Sequence, residues 1–132
     1  MSDAKKLTAN GLDDALGRVG VKPGDVLLVH SSLGSLGHMD GGAEAVIDCL
    51  ARRLGPDGLL IMPVFTSCRV DPERPELPEA FDPALTACRK RTGIIPETFR
   101  TRPGVRRSRH PTHSLAALAP RADEWAAGGE CL

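Results

Sequence analysis

The chain of 132 residues has no tyrosine, one tryptophan and three phenylalanines, which leaves few large side chains to fill a core. It has no net charge either: 17 Lys and Arg balance 17 Asp and Glu. That balance argues against a general nucleic-acid binder or an anionic-membrane binder, since either needs a basic surplus. No apolar run approaches the roughly 20 residues of a membrane span, and Met1 to Lys6 lacks the apolar core of a signal peptide. The expectation is a cytoplasmic protein with neither nucleic acid nor membrane as partner. The four cysteines, Cys49, Cys68, Cys88 and Cys131, form no Cys-x-x-Cys pair and no Cys/His cluster of zinc spacing, so no metal is expected. Cys49 falls on the apolar stripe of a predicted helix. All four read first as small buried or incidental thiols of a reducing compartment; the alternative is a reactive Cys88, its pKa lowered by Arg89, Lys90 and Arg91, although no base partner for a catalytic thiolate is evident. No Gly-x-Ser-x-Gly elbow is present, which argues against an α/β hydrolase.

Fourteen glycines and eleven prolines instead punctuate an alternation of elements. Leu12, Leu16 and Val19 have helical spacing and end at Gly20, which predicts a helix near Leu7 to Val19. Val26 to Val29, preceded by Pro23-Gly24-Asp25, reads as a strand covered on both faces. A helix over Ala43 to Leu54 follows Gly41-Gly42, with Val46, Ile47, Leu50 and Leu54 on one face and Arg52 and Arg53 suited to the dipole of its last turn. After the turn Gly55 to Gly58 comes a second buried strand, Leu59 to Met62. Strand, helix and strand in this order form a βαβ unit, so the two strands should be parallel.

Ligands of open α/β sheets bind beyond the carboxyl ends of the strands. Here those ends are His30-Ser31-Ser32 and Thr66-Ser67, two hydroxyl-rich loops that should face one crevice. Gly34, Gly37, Gly41 and Gly42 would let backbone approach a ligand. A polar turn with an N-cap explains the first loop equally well. Arg69 to Pro83, with acidic residues Asp71, Glu73, Glu76, Glu79 and Asp82, reads as a long binding excursion or as a solvated face. A short helix is expected from Gly93 to Thr101, with Pro96 near its first turn. The run Arg106 to Ser114, three arginines with His110 and His113 among them, is either a phosphate contact or a solvated basic loop.

Taken together, the motifs resemble one family, the aminoglycoside 3-N-acetyltransferases. The resemblance rests on Gly24-Asp25, on His30-Ser31-Ser32-Leu33 with Ser35-Leu36-Gly37, and on Gly41-Gly42, Met62-Pro63 and Phe65-Thr66. It continues through Phe81-Asp82-Pro83, Thr86, Gly93, Pro96-Glu97, Phe99-Arg100, Arg107-Ser108, His110-Pro111 and Ser114. It implies an α/β fold with a mostly parallel central sheet flanked by helices, and transfer of an acetyl group from acetyl-coenzyme A to an amine of a 2-deoxystreptamine antibiotic. His30, Ser31, Ser32, Leu33, Ser35 and Leu36 look like the family's coenzyme A contacts, joined by Arg107, Ser108, His110 and Ser114. Thr66 and Asp82 would lie near the antibiotic. His110 is the best candidate base by residue type, and Glu97 the weaker one.

Members of the family run to about twice this length, and the residues usually assigned to catalysis fall in their second half. Residues 1–132 are therefore expected to form a single α/β domain equivalent to an N-terminal half. The competing expectations are a catalytically inactive binding module with a tendency to self-associate, and an acetyltransferase acting on a non-antibiotic amine.

Overall fold

A computed structural model of the chain describes residues 6–66 and 81–118. Helix α1 (Ala9–Arg18) starts where Thr8 accepts a hydrogen bond from the Gly11 N–H at 3.1 Å, and ends two residues before Gly20, which takes φ of 91°. Strand β1 (Val26–Leu28) leads into α2 (Leu33–Leu36), a single turn capped by the Ser32 hydroxyl. Helix α3 (Gly42–Leu54) follows, then strand β2 (Leu59–Pro63), helices α4 (Arg89–Thr92) and α5 (Ile94–Arg100), and strands β3 (Arg106–Arg107) and β4 (Leu115–Leu118). No described helix is long and apolar enough to cross a membrane.

The four strands form one sheet in the order β1-β2-β4-β3. β1 and β2 are parallel, as the βαβ pattern requires, with Val26 opposite Leu59 and Leu28 opposite Ile61. β4 joins antiparallel to both β2 and β3, so the described part of the sheet is mixed rather than mostly parallel. The antiparallel pair escapes sequence reading because β3 is only two arginines long and β4 lies past a polar loop.

Leu60, Met62 and Ala116 point from the sheet into a core shared with Val46, Ile47, Leu50 and Leu54 of α3 and with Ile95 and Phe99 of α5. Aliphatic side chains thus do most of the filling, and Phe99 is the one fully buried aromatic among the described residues. The expectation that β1 is covered on both faces is not met: Val26 is 66% and Leu28 51% exposed, while Leu27 between them packs against the core. β1 sits at the sheet edge, and period-2 alternation turns Val26 and Leu28 to the face opposite the helices.

Candidate functional site

The carboxyl ends of β1 and β2 open into a cavity of about 190 Å³. His30 and Ser31 line it from β1, Pro63 and Phe65 from β2, and Arg91, Thr92 and Pro96 from α4 and the start of α5. Strand polarity puts the cavity here: parallel β1 and β2 end side by side, and the chain must leave the sheet at that edge. The Ser31 hydroxyl oxygen is buried, with no hydrogen-bond partner among the described residues. A buried hydroxyl left unpaired costs stability, so it is a group with capacity held for something else. Ser32 is committed to capping α2, Leu33 leans on the core, and Ser35 and Leu36 are exposed.

The second set of expected contacts lies elsewhere. Ser108 is buried, its hydroxyl accepting the Leu115 N–H at 2.9 Å. Ser114, also buried, donates to the Val64 carbonyl at 2.9 Å and accepts from Arg107 Nε at 3.0 Å. The Arg107 guanidinium also reaches the carbonyls of Val64, Pro83 and Thr86. Its face lies 5.0 Å from the centre of the Phe81 ring. None of these residues lines the cavity. The loop between β3 and β4 meets it indirectly: Thr66, buried, donates to the Pro111 carbonyl, and the His113 ring packs 4.9 Å from that of Phe65.

His110 Nδ1 accepts the backbone N–H groups of Thr112 at 3.2 Å and His113 at 2.9 Å. That pattern assigns the ring proton to Nε2 and commits Nδ1 as an acceptor within its own loop. Glu97 is equally committed. Its Oε2 accepts the N–H groups of Cys88 at 2.6 Å and Arg89 at 3.0 Å, which caps α4, and its Oε1 pairs with Arg100. Burial alone would raise this carboxyl, yet the bonds from Arg100 and Cys88 outweigh it and hold the pKa down at about 2. An acid that weakly basic is a structural anion, not a general base.

Cys88 follows the buried-thiol reading and not the reactive one. The thiol is buried, and burial pushes its pKa up, with Glu97 adding to the rise. The neighbouring basic run faces solvent and α4 itself, and only Arg107 acts in the lowering direction from among the cations. Asp82 Oδ1 accepts the Ala84 N–H at 2.8 Å and so begins a turn through Thr86. Asp71, Glu73, Glu76 and Glu79 of the acidic excursion, with Ser67 and Cys68, lie outside the described residues. Among those described, no group of three or more His, Cys, Asp or Glu is placed to hold a metal.

Sequence reading missed α4 and its contribution of Arg91 and Thr92 to the cavity. Arg89 to Thr92 has no apolar periodicity, and its helical turn depends on the remote Glu97 cap. The available signal was Gly93, which takes φ of 91° and lets α4 turn directly into α5.

The sequence profile of the aminoglycoside 3-N-acetyltransferases matches residues 28–131. Aminoglycoside N(3)-acetyltransferase III of a Salmonella species is 32% identical over 126 residues, which cover 88% of this chain and 44% of that protein. Sisomicin-bound AAC-VIa superposes with a TM-score of 0.83 at 29% identity, over 93% of this chain and 50% of its own. AAC-IIIb in its binary complex with CoASH gives a TM-score of 0.78 at 29% identity, again over 93% and 50%. The chain therefore spans about half the length of the relatives it matches, and over that half it belongs to the aminoglycoside 3-N-acetyltransferase family.

Proposed function

We propose that residues 1–132 form the coenzyme-binding half of an acetyltransferase that moves an acetyl group from acetyl-CoA to the 3-amino group of a 2-deoxystreptamine aminoglycoside. The observation that carries this reading is the cavity at the ends of β1 and β2, where the buried Ser31 hydroxyl has no partner among the described residues. It supports a ligand with a polar acceptor or donor at that point. The amide and thioester carbonyls of acetyl-CoA supply such groups, and a relative of this family is known bound to CoASH.

In the reaction a neutral amine attacks the thioester carbonyl. A C–N bond forms, the C–S bond breaks, and the amine proton leaves with the departing coenzyme A thiol. His30 and Ser31 on one wall and Arg91 and Thr92 on the other would hold the coenzyme, with Phe65 forming the apolar floor. Ser32, Leu33, Ser35 and Leu36 act by shaping the loop that presents His30 and Ser31. Glu97 and His110 do not take the amine proton, because their acceptor atoms are already engaged. A sisomicin-bound relative supports an aminoglycoside as acceptor.

The test is calorimetric titration of acetyl-CoA into the wild-type chain and the Ser31→Ala variant. Wild type should bind, and the variant should bind roughly tenfold more weakly, as expected for one lost hydrogen bond of about 1.4 kcal/mol, with no loss of stability. Equal affinity in the two proteins would remove Ser31 from the coenzyme site. With the coenzyme bound, release of CoA thiol in the presence of a non-antibiotic amine alone would refute the antibiotic acceptor while sparing the chemistry.

A further inference from the structure

Helix α4 is a single turn with little of its own to hold it. Its residues, Arg89–Thr92, are three cations and a threonine, none of them buried, and Cys88 at its start supplies no side-chain cap. Adjacent cations repel, and one turn makes too few hydrogen bonds to offset the ordering of its backbone. The turn hangs instead from Cys88, which is seated in the core. The N–H groups of Arg91 and Thr92, at 3.0 and 2.9 Å, and the Thr92 hydroxyl, at 3.1 Å, all donate to the Cys88 carbonyl. The N–H of Cys88 and that of Arg89 in turn donate to Glu97 Oε2, at 2.6 and 3.0 Å.

Glu97 is a fixed point. It rides on α5, which Ile95 and Phe99 fasten to the core, and Arg100 of the same helix holds its Oε1. A carboxylate with both oxygens engaged by charged or backbone donors sets where α4 begins. It thereby sets where Arg91 and Thr92 stand, the two α4 residues that line the cavity. The Thr92 hydroxyl is spent on the Cys88 carbonyl. Arg91 is exposed, and its guanidinium has no hydrogen-bond or ion-pair partner among the described residues. An unpaired guanidinium at the rim of a cavity suits a phosphate, and acetyl-CoA carries a pyrophosphate and a ribose phosphate.

We propose that Glu97 is a positioning residue whose cap on α4 sets the Arg91 guanidinium at the rim of the cavity to pair with a phosphate of the coenzyme. This rests on the acetyl-CoA reading above, and it gives Glu97 a part in binding. Arg91 touches the coenzyme, and Glu97 acts through it.

The experiment is calorimetric titration of acetyl-CoA into wild type, Arg91→Met, Glu97→Gln and the double variant, at low and at high salt. Arg91→Met removes an exposed side chain without cost to the fold. It should bind roughly tenfold more weakly than wild type, and its affinity should fall less on adding salt. Glu97→Gln should lose a similar factor. The double variant should bind no more weakly than Arg91→Met, because the cap acts through that guanidinium. If Glu97→Gln does not fold, Glu97→Asp takes its place in the cycle with the same expectation, since it keeps the charge but is too short to reach both α4 and Arg100. Arg102→Met is the control: it removes the ion pairs to Glu44 and Asp48 of α3, none of which lines the cavity, and should bind as wild type does. Full affinity in Arg91→Met, or a salt dependence equal to that of wild type, would overturn the phosphate contact. Losses that multiply in the double variant, or a matching loss in Arg102→Met, would overturn positioning and leave Glu97 with stability alone. Wild type that fails to bind acetyl-CoA would defeat the coenzyme reading itself, an outcome distinct from binding that the variants leave unchanged.

Discussion

Glu97→Gln isolates one carboxylate on which three segments converge. Its two oxygens take four donors, from Cys88, Arg89 and Arg100, and 18% of the side chain reaches water. Glutamine has one acceptor oxygen and an amide nitrogen that can only donate, so either the α4 N–H groups or Arg100 would face a donor. A carboxyl lowered from 4.5 to about 2 stabilises the fold by at most about 3 kcal/mol when ionised. The folded pKa lies below the unfolded one, so this contribution is complete above about pH 4.5 and is lost as pH falls toward 2. Urea unfolding at pH 7 should therefore show Glu97→Gln less stable by about 2–4 kcal/mol, the upper part coming from the donor left unpaired. At pH 3 the gap should be clearly smaller, because wild type has by then begun to lose what the variant never had. A gap that stays constant from pH 7 to pH 3, or one below about 0.5 kcal/mol at pH 7, would refute the assignment of Glu97 as an ionised cap and pair.

Phe99→Ala should cost about 3–5 kcal/mol by urea unfolding, since Phe99 is fully buried where α5 meets the sheet; a cost near 1 would mean that the site collapses around the loss. Gly41→Ala should lower the melting temperature through a cost of about 1–2 kcal/mol. Gly41 takes φ of 82°, and an added Cβ would stand 2.8 Å from that of Ala45; an unchanged melting temperature would show that α3 can start one residue later without penalty. Alkylation at pH 8 followed by peptide mapping should label Cys49 and Cys88 slowly in the native chain and quickly in urea, because burial raises both thiols. Equal rates for Cys88 in the two conditions would restore the expectation drawn from its basic neighbours.

The elements with their own local signals were legible before any coordinates. Helix α3 spans Gly42–Leu54 against an expected Ala43 to Leu54, because its apolar stripe, opening glycines and closing arginines all lie within the segment. α1, α5 and β2 were placed within about two residues for the same reason. The crevice between His30-Ser31 and the end of β2 was legible too, since strand polarity follows from the βαβ order. Of the expected coenzyme contacts, His30 and Ser31 line it, while Arg107, Ser108, His110 and Ser114 do not.

That difference has a physical cause. Residue type and spacing show which groups are able to bind a ligand, and motif resemblance narrows them to a family, so the class of fold and the chemistry of the loops belonged to the sequence alone. Whether a given group is still available depends on which partners the folded chain brings to it. Tertiary structure decided that Glu97 caps a helix eight residues away in sequence from Arg89, and that His110 gives its acceptor nitrogen to its own loop. It decided as well that Arg107 donates to the Ser114 hydroxyl and to carbonyls up to 43 residues distant, and that Ser31 alone keeps a buried hydroxyl unpaired among the described residues. The Glu97 and Arg107 bonds join partners remote in sequence, of which local sequence carries no record, and the His110 and Ser31 outcomes depend on how the folded loops turn those side chains.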